Sequence, residues 1–132
     1  MSRIFSCQIE IRFADLDAYG HVNNAIYFTY LESARTKAFA SSFVDFLNAG
    51  LYFVVVQAEC EYKKPIKLDD QFVHIEFTIE GLGRSSFTVN YRLLGKTGQH
   101  FANAKTVMVA IDAKSGTPTG IPEDVRQRLL GT

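Results

Sequence analysis

At 132 residues the chain has room for one domain that buries roughly two-thirds of its unfolded surface. Fourteen Lys and Arg balance fourteen Asp and Glu, which excludes a broad basic face for nucleic acid or an anionic membrane. Hydrophobic residues make up 47% of the chain and charged ones 21%, the balance of a folded domain rather than a disordered one.

No run approaches the roughly 18 apolar residues that a membrane span needs. The N-terminus, Met1 to Ser6, is too polar for a signal peptide. Cys7 and Cys60 fall in apolar-patterned stretches with no second Cys or His at metal-ligand spacing. They are expected to be reduced, buried thiols in a cytoplasmic protein, with no metal and no cofactor.

Phe5 to Phe13 alternates, with Phe5, Cys7, Ile9, Ile11 and Phe13 on one face, the pattern of a half-buried strand. A turn containing Gly20 runs from Asp15 to Asn24. Beyond it the period lengthens: Ile26, Tyr27, Tyr30, Leu31, Ala34, Ala38 and Phe39 recur at helical spacing. Asn23 or Asn24 is the expected N-cap. Phe28 falls outside the stripe, so the helix is apolar around much of its circumference and is expected to be surrounded. A short helical piece is predicted over Ser41 to Asn48, stopped at Gly50.

The rest reads as strand almost to the end. Tyr52 to Lys64 sets Val54, Val56, Ala58, Cys60 and Tyr62 against Gln57, Glu59, Glu61 and Lys63, and Pro65 ends the ladder. Phe72 to Glu80 alternates Val73, Ile75, Phe77 and Ile79 with polar residues, Ser86 to Leu94 alternates Phe87, Val89, Tyr91 and Leu93 likewise, and a turn around Gly81 to Arg84 joins them. Gly95 to Gly98 reads as a hairpin turn into a last strand, Phe101 to Asp112, with Val107, Val109 and Ile111 against Thr106, Met108 and Ala110. Pro122-Glu123-Asp124 opens a C-terminal helix. Short connections predict an antiparallel meander for the last four strands, joined by the first strand in the same sheet. The expected fold is α+β, one domain over 1–132, with a curved five-stranded antiparallel sheet wrapped around a long central helix.

Chemistry concentrates where the first strand meets that helix. Asp15, Asp17 and His21 lie in the turn, beside a helix N-terminus whose unpaired backbone N–H groups can hold developing negative charge. Both acids are also ordinary turn formers and caps.

The run Ile11-Arg12-Phe13-Ala14-Asp15-Leu16-Asp17-Ala18-Tyr19-Gly20-His21-Val22-Asn23-Asn24 resembles the signature of the hotdog-fold acyl-CoA thioesterases, in the 4-hydroxybenzoyl-CoA thioesterase-like group. Tyr27, Tyr30, Leu31, Glu32 and Ala34-Arg35 fit the start of that family's central helix. Glu59 to Pro65 fits its second strand, Leu82 to Ser86 its turn into the fourth strand, and Pro122-Glu123 its last helix. The resemblance covers nearly the whole chain in the expected order.

The resemblance implies hydrolysis of an acyl-CoA to a carboxylic acid and CoA. Asp17 is the implied carboxylate, as nucleophile or as general base on a water. Backbone N–H groups from Gly20 to Asn24 would polarise the thioester carbonyl, with Gly20 giving backbone access. His21 is either a site residue or turn packing. Asp15 is read as structural, and Glu32 as an ion-pair partner of Arg35 three residues on.

Arg84, Ser85 and Ser86 are candidates to hold CoA oxygens, with Lys63 in a second basic spot and Tyr27 at the substrate. Tyr27, Phe28, Tyr30, Phe39, Phe43 and Phe53 are candidates to line an acyl or aryl pocket, or to be core. A homodimer or homotetramer is implied, with no nucleic-acid partner and with the Arg84 turn acting on a neighbour's site. Hydrolysis of acyl-acyl carrier protein, and a non-catalytic acyl-CoA-binding domain, stay open at this point.

Overall fold

The computed structural model describes residues 3–131; Met1, Ser2 and Thr132 lie outside it, as does the side chain of Phe43. In order the elements are β1 (Phe5–Glu10), α1 (Ile26–Ala38), α2 (Phe43–Asn48), β2 (Leu51–Tyr62), β3 (Phe72–Glu80), β4 (Ser86–Leu94), β5 (His100–Asp112) and α3 (Glu123–Leu130). The strands form one antiparallel sheet in the order β1-β3-β4-β5-β2. On its inner face α1 buries Tyr27, Tyr30, Leu31 and Ala34. This is the expected α+β hotdog fold. No helix among the described residues is long and apolar enough to cross a membrane.

Strict alternation fixes β3 and β4. Val73, Ile75, Phe77 and Ile79, then Phe87, Val89, Tyr91 and Leu93, all turn inward. The other parity carries Glu76, Glu80 and Arg92, so a one-residue slip would bury charge.

Elsewhere the structure departs from the pattern. β3, β4 and β5 form the expected meander, but β2 pairs with β5 at the far edge rather than with β3. Residues 63–71 therefore cross the end of the sheet to reach β3. β5 buries Ala102, Ala104, Thr106, Met108 and Ala110, and leaves Val107 and Val109 half-buried outside. Both parities of β5 are apolar, so packing decides, and small residues line the inner face. Thr106 is accommodated there by a 2.7 Å hydrogen bond to the Tyr91 hydroxyl.

β2 slips register between Val55 and Gln57, and this bulge breaks the alternation read from its sequence. Val55 and Val56 are exposed on this edge strand. α1 is not surrounded in the single chain: Phe28, Thr29, Glu32 and Thr36 face outward.

Candidate active site

β1 stops at Glu10, short of the expected Phe13, because Asp15 captures the chain. Its carboxylate accepts the Arg12 backbone N–H at 3.0 Å, the Arg12 guanidinium at 2.8 and 3.1 Å, and the Tyr30 hydroxyl at 2.7 Å. A single 3₁₀ turn, Phe13–Asp15, results, and Phe13 is left 80% exposed. Asp15 is 1% exposed. Burial works to raise its pKa, but the hydrogen bonds from Tyr30 and Arg12 outweigh that and hold it below the usual carboxylate range. Asp15 therefore bolts the loop to α1 through Tyr30, as the structural role read for it requires.

Asp17 is half-buried and differently placed. Its Oδ1 accepts the backbone N–H of Tyr19 at 2.9 Å and of His21 at 3.3 Å. Among the described residues Oδ2 has no partner. The turn closes on itself through Asp17 N–H to His21 O and Gly20 N–H to Asp17 O. One oxygen thus orients the carboxylate and the other is left available.

Gly20 sits at φ 77°, where a side chain is strained, although a Cβ there would meet no other atom within 4 Å. Gly20→Ala is expected to cost about 1 kcal/mol through backbone strain alone, read as a lower denaturation midpoint at unchanged m.

Most amides of this run are already committed. Gly20 and His21 donate within the turn, Val22 donates to Ile66 O at 2.8 Å, and Asn23 donates to Asp15 O at 2.9 Å. Asn24 N–H alone among these five meets no acceptor in the described residues. Neither Asn caps α1 in the ordinary way; Ala25 is the N-cap residue, and Asn23 Oδ1 accepts its N–H at 2.9 Å.

Residues distant in sequence hold the helix start. The Tyr62 hydroxyl donates to Asn24 O at 2.9 Å, and its ring meets Tyr27 edge-on at 4.7 Å. Tyr27 is 2% exposed, and burial pushes its hydroxyl up to about 12, so it is a wall beneath the site. His21 is half-buried and its backbone bridges to Lys67. Lys63 is exposed at this same end and pairs with Glu61.

The Arg84 turn lies elsewhere. β4 runs from Ser86 to Leu94, and only its Leu94 end, opposite His74 and His100, lies toward Asp17. Nine residues of strand put the Arg84 turn about 30 Å from that end. Arg126 of α3 fixes the turn by donating to the carbonyls of Gly83 at 2.6 Å, Arg84 at 3.2 Å and Ile121 at 3.1 Å. The exposed Arg84 guanidinium has no acceptor among the described residues. Ser85 and Ser86 are half-buried, with Ser85 O accepting Ala110 N–H at 2.8 Å.

The expected Glu32–Arg35 ion pair does not form. Arg35 reaches inward and donates to the Tyr91 hydroxyl at 2.9 Å, leaving the exposed Glu32 carboxylate unpaired among the described residues. A buried hydroxyl 56 residues away wins over a solvated neighbour on the same helix. The sequence pattern does not mark Tyr30, Tyr62, Ile66 or Arg126 as supports of the site; each acts through a contact that no local pattern encodes.

A family model described as the thioesterase-like superfamily matches residues 11–129. The long-chain acyl-CoA thioesterase FadM of Escherichia coli (strain K12) is 32% identical over 124 residues, covering 92% of this chain and 94% of that protein. A 1,4-dihydroxy-2-naphthoyl-CoA hydrolase of Synechococcus elongatus is 29% identical over 130 residues, covering 95% of this chain and 94% of that protein. Among solved structures, Slr0204, a 1,4-dihydroxy-2-naphthoyl-CoA thioesterase from Synechocystis, superposes with a TM-score of 0.84 at 18% identity over 96% of each chain, a likeness of fold.

Proposed function

Because the chain belongs to the thioesterase-like superfamily, we propose that it hydrolyses an acyl-CoA to the free carboxylic acid and CoA. The observation that carries this reading is the Asp17 carboxylate, oriented through Oδ1 and open at Oδ2 beside the start of α1.

Two routes use that oxygen. In one, Oδ2 attacks the thioester carbonyl carbon, the C–S bond breaks, CoA leaves as the thiolate, and water hydrolyses the mixed anhydride. In the other, Oδ2 takes a proton from a water whose oxygen attacks the same carbon, the C–S bond breaks, and the departing thiolate takes up the proton to leave as CoA. In both, Asn24 N–H and the positive end of α1 oppose the charge that grows on the carbonyl oxygen. Gly20 and His21 shape the turn that presents Asp17, and Tyr27 braces it from below. We place the activity in the cytoplasm, consistent with two free thiols, Cys7 and Cys60.

CoA needs cations for its phosphates. Lys63 is at the Asp17 end, but Arg84, Ser85 and Ser86 are a strand length away within one chain. Two copies joined antiparallel along their β2 edges would remove this separation, because two-fold pairing sets the Asp17 end of one beside the Arg84 end of the other. Exposed Tyr52, Val55, Val56 and Tyr62 on β2 support that pairing.

The test is thiol release from acyl-CoA and from the matching acyl-pantetheine, which lacks the nucleotide phosphates. Arg84→Ala is expected to raise KM for acyl-CoA about tenfold, the worth of one charge-assisted hydrogen bond, and to leave the pantetheine value unchanged. Equal KM values would remove Arg84 from the CoA site. No thiol release by the wild type would remove the hydrolase reading itself.

A further inference from the structure

A cavity of about 490 Å³ opens between the second half of α1 and the first half of β2. That volume is within the range that encloses drug-sized ligands, about 300–1,000 Å³. Exposed Glu32 and Thr36 stand at its mouth, the Arg35 guanidinium reaches inward to the Tyr91 hydroxyl, and most of the remaining lining is apolar. Phe46, Phe53 and Phe87 form an edge-on ladder along it, with ring centroids 5.6 and 5.3 Å apart. Leu51 and Leu129, 2% and 1% exposed, close the far end.

One stripe of α1 leads from the cavity toward the candidate site. Glu32, Thr36 and Phe39 are spaced four and three residues apart and therefore share a helix face. Phe28, one turn nearer the N-terminus than Glu32, extends that face toward the loop, and it is 36% exposed. An apolar ring on the outer surface of a helix is otherwise unexplained in the single chain. It places an apolar step on the track from the Asp17 loop to the polar cavity mouth at Glu32.

We infer that this track and cavity receive the acyl chain of the thioester, and that the chain is a long unbranched alkyl one. The inference rests on the hydrolase reading for its starting point, the carbonyl at the head of α1. From Ile26 to Glu32 the helix rises about 9 Å, and to Phe39 about 20 Å. An extended alkyl chain advances about 1.25 Å per carbon from its bond lengths and angles. The chain therefore reaches the cavity mouth near its seventh carbon and the level of Phe39 near its sixteenth. An aryl group joined directly to the carbonyl ends short of the mouth and leaves the cavity unused.

Titration calorimetry with octanoate and hexadecanoate tests the cavity without requiring turnover. Each buried methylene contributes up to about fourfold in affinity, so hexadecanoate is expected to bind at least about tenfold more tightly than octanoate. Thr36→Trp, at an exposed position on the cavity wall, is expected to weaken hexadecanoate at least about tenfold and to move the preferred acyl-CoA to a shorter chain. If far-UV circular dichroism shows that variant misfolded, Leu47→Trp on the opposite wall makes the same block.

Equal affinity for the two acids, or no effect of the tryptophan, would overturn the inference. So would exclusion of both acids because a second copy fills the cavity. Selective hexadecanoate binding without thiol release from hexadecanoyl-CoA would uphold the cavity and sink the hydrolase reading. Hydrolysis with no dependence on chain length would do the reverse.

Discussion

Asp17→Asn is expected to lower kcat for thiol release about a thousandfold, within the range that a positioned carboxylate contributes. The fold should survive. Asparagine keeps an amide oxygen that can accept the same two N–H groups of Tyr19 and His21, so the turn loses no hydrogen bond. What it loses is the charge and basicity of the second oxygen. The melting temperature should therefore stay within about a degree of wild type, and acyl-CoA binding should persist. Turnover retained in a variant of unchanged stability would take Asp17 out of the mechanism and direct attention to Glu32, whose carboxylate is unpaired among the described residues.

Asp15, two positions earlier, should show the opposite signature. Asp15→Ala leaves the Tyr30 hydroxyl and the Arg12 backbone N–H without their acceptor, a loss of about 3 kcal/mol. That corresponds to a fall in Tm of about 10 °C for a domain of this size. Tyr30→Phe removes one of these bonds and should cost about 1 kcal/mol.

The pH dependence has a definite sign. The folded-state pKa of Asp15 is lowered, so its contribution is fully present above the unfolded value of about 3.9. It is lost only as pH falls through the lower folded value. Differential scanning calorimetry should therefore show wild type losing its advantage over Asp15→Asn below about pH 4 and not between pH 5 and 7. A difference that vanished near neutrality would contradict the buried, ion-paired state of Asp15.

The parts of the fold that were legible in the sequence are those where one periodicity admits one answer. Val73 to Glu80 in β3 and Ser86 to Leu93 in β4 alternate apolar and polar residues, so the inward faces could be assigned residue by residue. The position of α1 followed from the change of period at Asn24. The signature from Ile11 to Asn24 located the loop that carries Asp17.

Legibility failed where two answers were locally equal. β5 offers Val107 and Val109 on one parity and Met108 and Ala110 on the other, and only the helix packed above it selects the second. In β2 the bulge after Val55 shifts the parity midway, and bulges leave no residue signature there. β2 could not be assigned to the β5 edge from connection length, because residues 63–71 are long enough for either a local turn or a crossover. Within the site, the carboxylate was visible but its electrostatic surroundings were not. Whether an amide near Gly20 is available depends on Ile66 O and Asp15 O, acceptors fixed by the fold rather than by the motif.

The crossover has a consequence for when the site comes into being during folding. Val22 is tied to Ile66, and Asn24 is held by Tyr62, 38 residues further along the chain. A fragment ending after α1 contains the entire signature yet lacks both anchors. Loops of that length close late relative to local helix formation. Activity should therefore appear only after β2 has docked and the crossover has settled. Recovery of thiol release during refolding would then lag behind recovery of helical signal, and would report completion of the sheet.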